Sequence, residues 1–149
     1  MSLDVYLTTK ETRPRDSSGI FVREAGETRE ITEDEWCERN PGQQPVRLTD
    51  CEETNEVYSA NITHNLNKMA DEAGLYDCLW RPESVGITKA AQLITPLQKG
   101  LDKLCSHRSY FEQFNPANGW GNYDGFVRFV QQYLIACEQH PDADVEVSR

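Results

Sequence analysis

The sequence predicts an α+β fold: about three main helices packed with a small antiparallel sheet made from an N-terminal strand, a hairpin and a C-terminal strand. Three observations carry this. The chain begins and ends on short alternating stretches, "SLDVYLT" and "DVEVSR". Between them, apolar residues recur at helical spacing through much of residues 54–140, the expected helical core. At 149 residues the chain is long enough to bury a core as a single domain, 1–149, without metal or disulfide staples.

The elements follow in order. Leu3, Val5 and Leu7 alternate with polar residues and predict a half-buried strand. "GIFVRE" and "TREIT" flank Ala25-Gly26-Glu27 and predict a hairpin. Residues 10–52 otherwise read as an irregular acidic excursion, because "EDEWCERNPGQQPVRLTDCEETN" has no period and many breakers, with Trp36 its one anchor. Residues 1–53 hold thirteen acidic and seven basic side chains, which sets this half apart in texture.

From residue 56, Tyr58, Ile62, Leu66, Met69, Ala70 and Ala73 recur at helical spacing, and Gly74 marks a stop. Leu75, Leu79 and Trp80 read as a buried corner, closed by Pro82. A second helical region spans Thr88 to Cys105, with Ile94, Leu97, Leu101 and Leu104 on one face. Pro96 predicts a break or kink there, because Thr95-Pro96-Leu97-Gln98 also fits a fresh helix start. The third helix carries the stripe Phe126, Phe129, Val130, Tyr133, Leu134 and Cys137, with Asn122 as cap and Pro141 as terminator. "DVEVSR" then supplies a strand able to pair with the first.

Composition narrows the function classes. A net charge of −10 repels phosphate backbones and anionic lipid, so neither direct nucleic acid binding nor membrane binding is expected. The same charge suits a basic partner protein, or simple solubility. The five cysteines (Cys37, Cys51, Cys78, Cys105 and Cys137) form no C-x-x-C pair, and no leader pattern precedes them. Reduced thiols and a cytoplasmic location are expected, with no cofactor; a scattered Cys/His zinc site using His64, His107 and His140 is the minor alternative.

Three stretches are candidates for chemistry. "NITHNLNK" places Asn61, His64, Asn65 and Lys68 beside the apolar stripe if the segment is helical, where a pocket wall forms between core and solvent. Three asparagines in seven positions also lower helicity with no structural return. The plain alternative is a solvated helix face. "FNPANGWGNYDG" offers Trp120 and Tyr123 for stacking and leads into a helix N-terminus, a ready anion site. Its alternative is an ordinary loop whose tryptophan plugs the core. Arg81, beside Trp80, could hold an anion or pair with Asp77 or Glu83. No H-E-x-x-H, G-x-S-x-G, Walker A or dinucleotide-binding fingerprint occurs.

"VYSANITHNLNKMADEAGLYDCLWRP", "ITPLQKGLDKL", "FNPANGWGNYDGFVRFVQQYL" and "DADVEVSR", with the opening "MSLDVYL", resemble a family of small uncharacterised proteins of phage and prophage genomes. The resemblance covers roughly residues 54–149 and carries no catalytic assignment. It implies a phage context, and an accessory, anti-defence role in the host cytosol is an analogy from that setting. The two polar, turn-rich motifs beside apolar stripes carry the leading expectation, a non-enzymatic protein binding a small polar or nucleotide-like ligand through Asn61, His64, Asn65, Lys68, Arg81, Trp120 and Tyr123. One competitor is an acidic protein that occupies the basic surface of a host nucleic-acid-binding enzyme through Glu30, Glu33, Asp34, Glu35 and Glu38. The other is a small metal-independent hydrolase with His64 as general base.

Overall fold

The computed structural model describes residues 1–13, 17–47 and 51–149. They form two compact units, Met1–Thr9 with Asn55–Arg149, and Lys10–Thr54.

β1 (Ser2–Arg13) lies between β4 (Cys51–Thr63) and β5 (Asp144–Ser148) in a three-stranded sheet, of which residues 2–9, 55–63 and 144–148 belong to the first unit. The β1–β5 pairing is antiparallel, with Val5 opposite Val147 and Leu7 opposite Val145. Leu3, Val5 and Leu7 point into the core, as their alternation predicts, and the polar residues between them face away. The terminal strands thus pair as expected.

The third strand is a correction. Residues 56–63, read as the start of a helix, belong to β4. The apolar positions Tyr58, Ile62 and Leu66 are four apart, and four residues are close to one helical turn and equal two strand repeats. That spacing cannot tell the periods apart; the β-branched Val57, Ile62 and Thr63 were the discriminating signal. The hairpin predicted to complete this sheet forms its own instead. In the second unit β2 (Ile20–Glu24) pairs with β3 (Glu27–Ile31) as a separate two-stranded sheet. Its two-residue turn has both Ala25 and Gly26 at positive φ (50° and 85°), the geometry whose twist matches paired strands.

The same unit holds α1 (Glu33–Arg39), in a stretch read as irregular. It buries no residue, so it has no apolar period to detect. Its signal lies at the ends: Thr32 Oγ1 accepts from the Glu35 N–H at 3.2 Å, and Glu33, Asp34 and Glu35 crowd the positive end of the dipole.

After β4 a single 3₁₀ turn at 64–66 leads into α2 (Asn67–Glu72) and α3 (Tyr76–Trp80). Gly74, at φ +74°, ends the first of these, and Leu75, Leu79 and Trp80 form the buried corner that the sequence suggests. α4 (Ala90–Ser106) and α6 (Tyr123–Gln139), with the short α5 (Arg108–Glu112) between them, complete the unit. Pro96 does not end α4. Leu93, Leu97, Gly100 and Leu104 form a continuous buried face across it, so packing holds both sides of the proline in one helix against its local cost. The aromatic stripe of α6 is buried as read, from Phe126 to Cys137. No helix among the described residues is long and apolar enough to cross a membrane.

Candidate functional site

The two polar motifs meet. Asn65 donates from Nδ2 to the Trp120 carbonyl at 3.4 Å and to Asn118 Oδ1 at 3.5 Å. The loop is itself tied down: the Trp120 N–H donates to Asn118 Oδ1 at 3.0 Å, and the Tyr123 N–H to Asn115 Oδ1 at 2.7 Å. Gly121 stands at φ +93°, and a Cβ there would lie 2.7 Å from Thr63 Cγ2 and 3.0 Å from Leu66. Only glycine lets the loop press this closely on the end of β4.

Between them lies a hollow of about 300 Å³. Asn61, Thr63 and Asn122 are its polar lining residues, while Ile62, Leu66 and Phe129 give an apolar lining and Gly121 and Gly125 leave it room. Thr63 Oγ1 accepts from the Asn65 N–H at 3.3 Å. Asn61 is held by Asp4, whose Oδ1 accepts from Asn61 Nδ2 at 2.5 Å. Two of the three asparagines that looked costly in an α-helix lie outside one, Asn61 in β4 and Asn65 in the 3₁₀ turn, and Asn67 opens α2.

The hollow is lined by no charged side chain. The N-terminus of α6 is also less open to anions than its sequence suggests. Asn122 Oδ1 accepts from the Gly125 N–H at 2.7 Å, Asn115 takes the Tyr123 N–H, and Asp124 adds a negative charge to the first turn. The neighbouring Arg108 is engaged by Glu112 at 2.6 Å and Asp124 at 3.0 Å, and these carboxylates hold its guanidinium pKa above the ordinary value.

The other expected site residues are spread out. Trp120 is 73% exposed, so it does not plug the core. Tyr123 does not join it as a stacking surface: its ring is buried, its hydroxyl donates to the Leu104 carbonyl at 2.8 Å, and Arg108 sits 5.0 Å from the ring centre. Lys68 lies over Phe114 at 5.4 Å and lines a different hollow with Asn67, Asp71 and Tyr76. Arg81 is exposed at the end of α3; the Glu83 carboxyl pKa is lowered by that residue's own backbone N–H first, then by Arg149, and least by Arg81.

His64 is half-buried and turned to Trp80, whose indole N–H donates to Nδ1 at 2.9 Å. An indole nitrogen only donates, so Nδ1 is the acceptor and the neutral ring carries its proton on Nε2. That nitrogen is buried and finds no acceptor among the described residues. With one lone pair committed and the other nitrogen protonated, this ring has no free base to offer a substrate.

The acidic stretch is only partly paired, and Asp34 and Glu38 are exposed. Glu24 and Glu35 share Arg29 and Arg39, Glu33 pairs with Arg47 at 2.7 Å, and Glu30 accepts from the Gly19 N–H at 3.0 Å. Cys78 and Cys137 are buried, and desolvation pushes both thiols up to about 12. Cys37 and Cys105 are exposed. Among the described residues, no group of three His, Cys, Asp or Glu side chains is placed to hold a metal ion; Cys51 lies where no side chain is described.

Of the eight residues lining the hollow, Asn61 alone is among the expected site residues; Ile62, Thr63, Leu66, Gly121, Asn122, Gly125 and Phe129 are additions of the structure. Phe129 reads in the sequence as a core position and Asn122 as a cap. The available signal was the N-G-W-G-N loop, in which Gly121 makes the close approach while Gly119 serves the turn with open space at its Cβ position. Compared with protein-family models, curated proteins and solved structures, the chain matches none.

Proposed function

We propose that the protein is a non-enzymatic binding protein whose ligand is small, polar and uncharged where it enters the hollow between β4 and α6. One observation carries this: Asn61, Thr63 and Asn122 join an apolar lining around the hollow, which is lined by no charged side chain. Their bonds to Asp4, to the Asn65 N–H and to the Gly125 N–H leave Asn61 Oδ1, the Thr63 O–H and Asn122 Nδ2 for a ligand. Amides match donors and acceptors on a neutral ligand, and the apolar lining favours a flat or aliphatic body. The nucleotide-like expectation narrows accordingly to the nucleoside or amide part of such a molecule, because phosphate finds neither a cation nor an open helix terminus there. In the phage setting that the resemblance implies, binding would withdraw a host molecule from use. The orientation of His64 removes the main support for a hydrolase.

The test is a thermal-shift series with nucleosides, the matching nucleotides and N-acetyl amino-acid amides. Ligand at about a hundredfold over its dissociation constant adds about 2.7 kcal/mol, a shift of a few degrees for a chain of this size. Nucleosides or amides stabilise the wild type, their phosphorylated forms do no better, and Asn61→Ala and Thr63→Val lose the effect. A series in which only the charged ligands bind, or in which neither substitution matters, sinks the proposal.

A further inference from the structure

The hollow touches Asn61, Ile62 and Thr63, three consecutive residues of β4. Side chains along a strand alternate between faces, so a cavity meeting three in a row reaches the strand's edge. β4 is an edge strand, with β1 on one side and no described strand on the other. The His64 N–H turns back to the Met1 carbonyl at 3.4 Å and the Asn61 side chain meets Asp4, so β4 runs antiparallel to β1. By the alternation of that ladder, the backbone groups of Ile62, Ala60 and Tyr58 face β1, and those of Asn61, Ser59 and Val57 face outward.

The two edges of this sheet are treated differently. At the far edge, the Val145 N–H donates to the Thr88 carbonyl at 2.9 Å, and Lys89 bridges to Asp144 with its ammonium 2.6 Å from the carboxylate. A covered edge carrying a lysine is a protected edge. Between Asn55 and Thr63, β4 has no lysine, proline or glycine.

We propose that the outer edge of β4 accepts an extended segment of a partner polypeptide as a fourth strand, seating one neutral side chain in the hollow. The inference rests on reading the hollow as a binding site. Another extended backbone is the ligand whose donors and acceptors match those of Val57, Ser59 and Asn61 in spacing. Charge selects the occupant. Glu56 is the one charged residue between Asn55 and Thr63, and the unit built from 1–9 and 55–149 holds thirteen acidic side chains against eight lysines and arginines. A segment flanked by basic residues complements this edge, whereas a second copy brings −10 against −10.

The probe is a short blocked peptide of alternating valine and threonine with lysine at both ends, titrated into the 15N-labelled full chain. The expected result is shifted amide signals at Val57, Ser59 and Asn61, and about tenfold weaker binding when the lysines become glutamates. N-methylation of the peptide along one edge abolishes binding, because it deletes the ladder donors. Ser59→Pro removes an outward N–H that the fold does not use and also abolishes it; if that variant fails to fold, the N-methyl peptide decides alone. Shifts away from β4, indifference to N-methylation, or edge-to-edge dimerisation of the chain itself would overturn the proposal. Small amides that bind the hollow while the peptide does not would overturn this inference alone and leave the pocket intact.

Discussion

Trp80 gives its indole N–H to His64 Nδ1 across 2.9 Å, joining the buried end of α3 to the turn after β4. The bond fixes the turn whose next residue, Asn65, holds the Trp120 loop. Trp80→Phe deletes the donor, leaves Nδ1 unpaired and opens space in the core. The expected cost is about 2–3 kcal/mol in urea unfolding. In the wild type, long-range 15N–1H correlations should report the neutral ring as the Nε2–H tautomer; an Nδ1–H tautomer would disprove the geometry.

Gly121→Ala tests the contact that shapes the hollow. A methyl group at φ +93° is strained, and it would meet Thr63 Cγ2 at 2.7 Å. The combined cost is about 2–4 kcal/mol. Ligand shifts should weaken with it, because the loop must lift from Thr63. Unchanged stability would mean that the loop does not pack there.

Asn122→Ala removes the cap of α6. Its side chain accepts from the Gly125 N–H at 2.7 Å, so the expected loss is about 1–2 kcal/mol. Asn122→Asp keeps the acceptor and should recover most of that stability, which separates capping from any effect of the missing volume.

Pro96→Ala should stabilise. Pro96 sits inside α4 with no N–H to give, so the Gln92 carbonyl lacks its helical donor. An interior proline costs about 3 kcal/mol, partly offset because it also restricts the unfolded chain. A net gain of about 1–2 kcal/mol is expected in denaturant melts. A loss would show that the proline fixes a bend that the packing of Leu93 and Leu97 requires.

Burial sets the alkaline limit of the fold. It raises the Cys78 and Cys137 thiols from 9.0 to about 12, and raises the Tyr133 hydroxyl as well. Groups raised in the folded state stay neutral there and ionise on unfolding. Their stabilisation is whole below pH 9 and falls as pH rises from 9 towards 12, by about 1.4 kcal/mol per pH unit for each thiol. Urea midpoints measured from about pH 8 to about pH 11 should fall steeply, and Cys137→Ala should flatten the slope. A level profile would place the thiols in solvent.

Local patterns were enough to read the terminal strands, the hairpin turn at Ala25-Gly26 and the capped helix from Asn122. Each is fixed by neighbours in sequence: alternation at Leu3, Val5 and Leu7, positive φ at the turn, an acceptor three residues before Gly125. The strand at 56–63 was not legible, because Tyr58, Ile62 and Leu66 fit both periods. Helix α1 was hidden for the opposite reason, having no buried face to leave a period. At Pro96 a correct local rule lost to packing along α4.

The candidate site divides in the same way. The sequence by itself determined which residues were polar, turn-forming and close to apolar stripes, and so marked the Asn61–Lys68 and Phe114–Gly125 stretches. Only the tertiary structure decided that Asn65 reaches Trp120, that Tyr123 and Lys68 turn elsewhere, and that no charged side chain lines the hollow. Capping and turn preferences act over three or four residues and are written in the local sequence. The distance from Asn65 to Trp120 is closed by the shared packing of β4 and α6, to which the whole core contributes.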